Sequence, residues 1–173
     1  PAKGFVSMLG SQIQVEQENV LTCYLRDWTY EYYSGDRDAF KRDKERFEFG
    51  LSEFIKQEAD RLNVERIEFC HMHNFVVGND DRDFSRMFVH RYFQDDSRVT
   101  IDKKLATVHS IIESMKRSKM NICMRFHSVL FAHTLDVEFC AVDYTLGGKI
   151  HAFLKDHDML TKKRTVESFY TLK

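Results

Sequence analysis

Three stretches of the chain combine residue types that could do chemistry. Cys70-His71-Met72-His73 brings thiol, thioether and imidazole groups together. Read as a strand, it turns His71 and His73 to one face and Cys70 and Met72 to the other. Two imidazoles on one face can begin a zinc or copper site, with a third ligand drawn from His127 or His133. The apolar flanks favour a simpler reading: two histidines on the outer face of a sheet, and no metal. Asp136-Val137-Glu138 places two carboxylates on one strand face with Asp143 nearby, a pattern that can hold a divalent cation for hydrolysis. Arg86-Met87-Phe88-Val89-His90-Arg91-Tyr92-Phe93 alternates cations with aromatic rings. As a strand it presents Arg86, Phe88, His90 and Tyr92 together, the combination that stacks on and neutralises single-stranded RNA. Lys116, Arg117 and Lys119 form a second basic patch suited to phosphates.

Other chemistries find no support. The 7 glycines are scattered and form no phosphate loop, and Gly147-Gly148-Lys149 reads as a hairpin turn. No serine lies in a nucleophile elbow. Cys70 points away from its neighbour His71 within one strand, so the two cannot act as a nucleophile pair. No catalytic residue and no small-molecule cofactor is therefore expected. Aromatic residues stand out instead. Tyr24, Trp28, Tyr30 and Tyr33 crowd the end of a helical pattern running from Gln14 to Tyr33, more than one buried stripe needs, and off-stripe aromatics are enriched at interfaces.

Composition sets the bounds. The chain has 173 residues, 43% of them hydrophobic and 31% charged, with a net charge of -1. That excludes a disordered tail and a strongly basic nucleic-acid domain. The 4 cysteines form no CxxC pair, so free buried thiols in a reducing intracellular compartment, cytoplasmic or nuclear, are expected. No run approaches the ~20 apolar residues of a membrane span. The single proline, at position 1, suggests one globular domain over residues 1–173 excised from a larger protein.

The elements that must position these residues follow from periodicity. Helices are expected over 14–33, 36–63 and 102–119. Strands are expected over 66–77, 83–93, 121–132, 137–145 and 149–154, with a last one over 165–172. Gly50 marks a break or a close contact in the second helix. The order predicts an α+β fold: two N-terminal helices packed on a mostly antiparallel sheet, with a further helix between strand pairs. Tyr32-Tyr33-Ser34-Gly35-Asp36-Arg37, followed by late strands, resembles the nuclear-transport-factor-2-like fold, which implies a cone-shaped sheet. A ferredoxin-like core is the other alternative. Arg86 to Phe93 is partly similar to the third-strand motif of RNA-recognition domains, with Phe88-Val89 at its centre. Val137 to Leu146 loosely resembles the opening strands of RNase H-like exonucleases.

The expected function is non-catalytic: a protein-interaction or dimerisation module of a regulatory or scaffold protein, with Tyr24, Trp28, Tyr30 and Tyr33 as anchors. The alternatives are single-stranded RNA binding through Arg86, Phe88, His90, Tyr92, Lys116, Arg117 and Lys119, and a metal-dependent hydrolase using Asp136, Glu138 and Asp143.

Overall fold

The computed structural model describes residues 2–73, 80–103, 105–145 and 147–171. Short apolar runs build its centre. Val20–Tyr24 (β1) is buried at every position, as is Phe139–Asp143 (β5). Strands buried on both faces carry no polar alternation and belong in parallel sheets. Every pairing here is parallel: β1 with Arg66–Cys70 (β2) and with Met120–Cys123 (β4), β2 with Val99–Ile101 (β3), β4 with β5, and β5 with Lys163–Thr165 (β6). The order is β3-β2-β1-β4-β5-β6. This is the doubly wound, Rossmann-type arrangement, whose strand order reverses at β1 and β4.

The all-parallel sheet replaces the expected mostly antiparallel α+β layer, and neither the cone nor the ferredoxin-like core fits it. The errors have physical causes. Val20, Leu21, Tyr24, Leu25 and Trp28 fall at helical spacing, yet they form a doubly buried strand and the loop behind it. Residues 83–93 alternate, yet Asp81–Tyr92 is helix α3, with acidic residues in its first turn and the Asp80 carboxylate accepting from the Arg82 backbone N–H. Of the hairpin turn expected at Gly78-Asn79-Asp80, Gly78 and Asn79 lie outside the described residues and Asp80 caps α3. Phe126–Thr134 (α5) and Lys149–Asp156 (α6) had also read as strands. Arg37–Arg61 (α2) lies inside the expected second helix, with Asp36 accepting from the backbone N–H groups of Asp38 and Ala39. Val108–Arg117 (α4) lies within the third.

Two cores sandwich the sheet. Leu21, Cys23, Ile67, Phe69, Ile122 and Val142 face α2 and α3, where Phe47, Leu51, Ile55, Phe84 and Phe88 meet them. Tyr24, Cys70, Cys123, Phe139 and Ala141 face the opposite way, against Ala2–Gln12 (α1), α4, α5 and α6. Gly50 is a close contact: a Cβ there would stand 1.9 Å from the Phe169 carbonyl oxygen. All four cysteines are buried free thiols, and burial pushes Cys70 and Cys123 up to about 12. No described helix is long and apolar enough to cross a membrane.

Candidate functional site at the carboxyl ends of the strands

Parallel strands all emit their following loops at one end, and ligands of such sheets gather where the strand order reverses. Here β1 ends at Tyr24 and is followed by Arg26; β4 ends at Cys123 and is followed by Arg125. These two arginines, with Glu31, Tyr32, His127, Tyr144 and Lys149, line a cleft of about 710 Å³.

Arg26 is half-buried and has no carboxylate partner among the described residues. Its guanidinium donates to the Tyr144 hydroxyl at 2.7 Å and lies 4.7 Å from the Tyr144 ring centre and 5.5 Å from that of Tyr32. Burial raises the Tyr144 phenol above its ordinary value, and Arg26 opposes that shift. Arg125 is held differently. Its Nε donates to both oxygens of Asp81 at 2.9 and 2.7 Å, and Nη2 completes the fork. Asp81 is only 1% exposed, so this pair is a fixed part of the cleft wall.

Two helices point their amino ends into the same cleft. Arg125, Phe126 and His127 begin α5, and Gly148, Lys149 and Ile150 begin α6. Neither helix has a side-chain cap, whereas α2, α3 and α4 are capped by Asp36, Asp80 and Thr107. Uncapped first-turn N–H groups and the positive end of the helix dipole favour an anion. The turn into α6 is tightly built. Asp143 accepts from the Thr145 N–H at 3.1 Å and hydroxyl at 2.9 Å. Gly147 has a left-handed φ of 71°, and a Cβ on Gly148 would stand 2.1 Å from the Thr145 hydroxyl. The Gly147-Gly148-Lys149 segment is thus a strand-to-helix turn at the cleft and not a hairpin.

The structure disperses the residue groups singled out from sequence. Tyr24 and Trp28 are buried at 0% and 3% exposure, and Tyr30 is 38% exposed. Trp28 packs edge-on against Tyr33, Phe40 and Phe47, and the Tyr33 hydroxyl donates to Asp43. These rings tie the long β1–α2 loop to α2. In α3 the supposed strand face breaks up. Phe88 is core at 2% exposure, Arg86 pairs with Asp83, His90 meets Gln94, and the Tyr92 hydroxyl donates to Glu48. Lys116 donates to the Gly10 and Ile13 carbonyls, Arg117 pairs with Glu18 and Glu68, and Lys119 donates to the Leu62 carbonyl. Those three lie at the amino ends of the strands, opposite the cleft.

The carboxylates separate as well. Glu138 precedes β5 and pairs with Lys162, Asp136 sits in the preceding turn, and Asp143 closes the strand. Five residues of extended chain put Glu138 and Asp143 about 16 Å apart. His71 is buried at the end of β2. Met72 and His73 line a smaller cavity of about 260 Å³ with Arg125 and His127. Among the described residues, no three of His, Cys, Asp and Glu gather as a metal site. Arg26, Arg125 and Lys149 were missed from sequence. For Arg26 and Arg125 the signal is positional, an arginine two residues past a fully buried run, legible only once the run is known to be a strand; Lys149 carries no such mark.

No curated protein and no solved structure matches the chain. The family model of polysaccharide pyruvyl transferases matches residues 12–145, well over half of it. The matched segment runs from the end of α1 through β5 and includes Arg26, Arg125 and Tyr144. This is an enzyme family, which overturns the expectation of a non-catalytic scaffold and, with it, the RNA-binding alternative. By that match the chain belongs to the polysaccharide pyruvyl transferase family.

Proposed function

We propose that the chain takes part in transferring a pyruvyl group to a saccharide hydroxyl, and that the cleft between β1, β4 and β5 holds the anionic donor. One observation carries this reading: Arg26 and Lys149, neither with a carboxylate partner among the described residues, meet two helix amino ends without side-chain caps in one cleft. A pyruvyl group brings a carboxylate with it. Its transfer also needs a leaving group, and phosphate is the one that arginine forks and helix amino ends hold best. Arg26 would bind the phosphate end of such a donor, with Tyr32 and Tyr144 bracing its guanidinium. The first turns of α5 and α6, with Lys149, would take the other. The buried free thiols support a reducing intracellular setting.

The test uses pyruvate and inorganic phosphate as fragments of the donor, in a thermal-unfolding titration at matched ionic strength. Both fragments should raise the melting temperature, because a ligand that binds only the folded state stabilises it. Arg26→Met should sharply reduce the rise with phosphate, weakening its binding about 10–100-fold. No stabilisation by either fragment would sink the proposal.

A further inference from the structure

A narrower slot of about 140 Å³ opens beside the cleft, lined among others by Trp28, Asp143, Thr145, Lys163 and Glu167. Tyr32, Tyr33, Tyr144 and Thr145 border both spaces. Asp143 sets the slot apart. It is 3% exposed, and buried aspartates are almost always paired with a cation. The other buried acids follow that rule: Asp81 has Arg125, and Glu48 has Lys44 and Arg91. Asp143 has no cation at ion-pair distance among the described residues. Lys163 lines the same slot, but its Nζ is engaged with His151 Nδ1 at 2.8 Å. The two Thr145 contacts fix the Asp143 carboxylate through Oδ1, and Oδ2 accepts no hydrogen bond from any described residue. A second group is unmatched nearby: the Trp28 Nε1–H is buried without a partner among the described residues.

An oriented acceptor, an unmatched donor and aromatic walls suit one ligand chemistry. A small anion is repelled by Asp143 and Glu167. A bare cation leaves the Trp28 N–H unmet and faces Lys163. A hydroxyl-bearing ring satisfies both, because each hydroxyl donates and accepts, and its C–H faces pack on aromatic rings. We propose that the slot is the saccharide subsite, with a pyranose hydroxyl donating to Asp143 Oδ2. The assignment of that saccharide as the pyruvyl acceptor rests on the reading of the neighbouring cleft as the donor site.

Trp28 is the only tryptophan in the chain, so its emission reports on the slot. The full chain is titrated with methyl glucoside, methyl galactoside and methyl mannoside while Trp28 emission is followed, and separately with inorganic phosphate by thermal unfolding. At least one pyranoside should give a saturable change. Asp143→Asn keeps the acceptor that Thr145 holds but removes the charge. It should weaken that binding roughly tenfold or more. Thr145→Val, which removes one of the two contacts that orient the carboxylate, should act in the same direction and stands in if Asp143→Asn does not fold. Arg26→Met should do the reverse, losing phosphate and keeping the pyranoside. No saturable change with any of the three sugars, or wild-type sugar binding in Asp143→Asn and Thr145→Val, overturns the slot assignment. Unchanged phosphate stabilisation in Arg26→Met sinks the donor reading alone, because the sugar titration is scored separately.

Discussion

The two ends of the sheet use the same residue types to opposite effect. At the amino ends of the strands, charges find partners. Arg98 holds Asp60 and Asp96, Arg117 holds Glu18 and Glu68, and Lys162 holds Glu138. Lys116 reaches two backbone carbonyls of the chain leaving α1. At the carboxyl ends, among the described residues, Arg26 and Lys149 have no carboxylate partner, the first turns of α5 and α6 have no side-chain cap, and Asp143 Oδ2 and the Trp28 N–H accept and donate no hydrogen bond. Buried polar groups are normally satisfied, so a cluster that is not satisfied marks where a ligand completes the structure. The basic patch at Lys116, Arg117 and Lys119 drew attention in the sequence because it is dense. In the structure each of its three cations has a protein partner.

This contrast can be broken most forcefully at Asp81. Asp81→Ala leaves Arg125 buried and unpaired, which should cost about 3–5 kcal/mol in denaturant unfolding. A loss near zero would mean that the cleft wall is not held by this pair. Next comes Arg26→Met, expected to weaken phosphate binding by about 10–100-fold in calorimetry while changing stability little. If stability falls instead and binding holds, Arg26 is structural and the two ends are alike. At the opposite end, Arg98→Met should cost about 1 kcal/mol or less and leave phosphate affinity untouched. A drop in that affinity would place an anion site at the wrong end of the sheet.

The smallest effect is in acid. Hydrogen bonds from the Arg82 side chain hold the Asp80 carboxyl down at about 2, against an ordinary 3.8. A depressed folded value contributes stability above the unfolded value and loses it as pH falls through the folded one. Asp80→Asn should therefore melt below wild type at pH 7, with the gap closing as pH falls from about 4 to about 2. Arg98 lowers Asp96 in the same way at the amino end, so acid should weaken both ends alike. A gap that widens in acid would refute the Asp80–Arg82 pairing.

Part of this was legible in the sequence. The mixed charge and acidic cap of α2 and the amphipathic face of α4 follow from local chemistry, and the structure shows them; at Gly50 the sequence leaves a break or a close contact open, and packing against Phe169 decides for the contact. The short strands were not legible. Val20 to Leu25 suits a helix stripe and a doubly buried strand equally, because burial on both faces removes the alternation that marks a strand. The reverse ambiguity hid α3, where Arg86, Phe88, His90 and Tyr92 alternate by accident while Phe84 and Phe88 follow the helix period.

By itself, then, the sequence determined where apolar runs, caps and turns lie, since those depend on residues within a few positions of one another. The tertiary structure decided which runs become neighbours. Leu21 pairs with both Ile67 and Met120, each far along the chain. Only when all the strands run parallel do Arg26, Arg125, Asp143 and Lys149 reach the same end of the sheet. The cleft exists because strand direction, a non-local property, brings loops separated by about a hundred residues of sequence to one place.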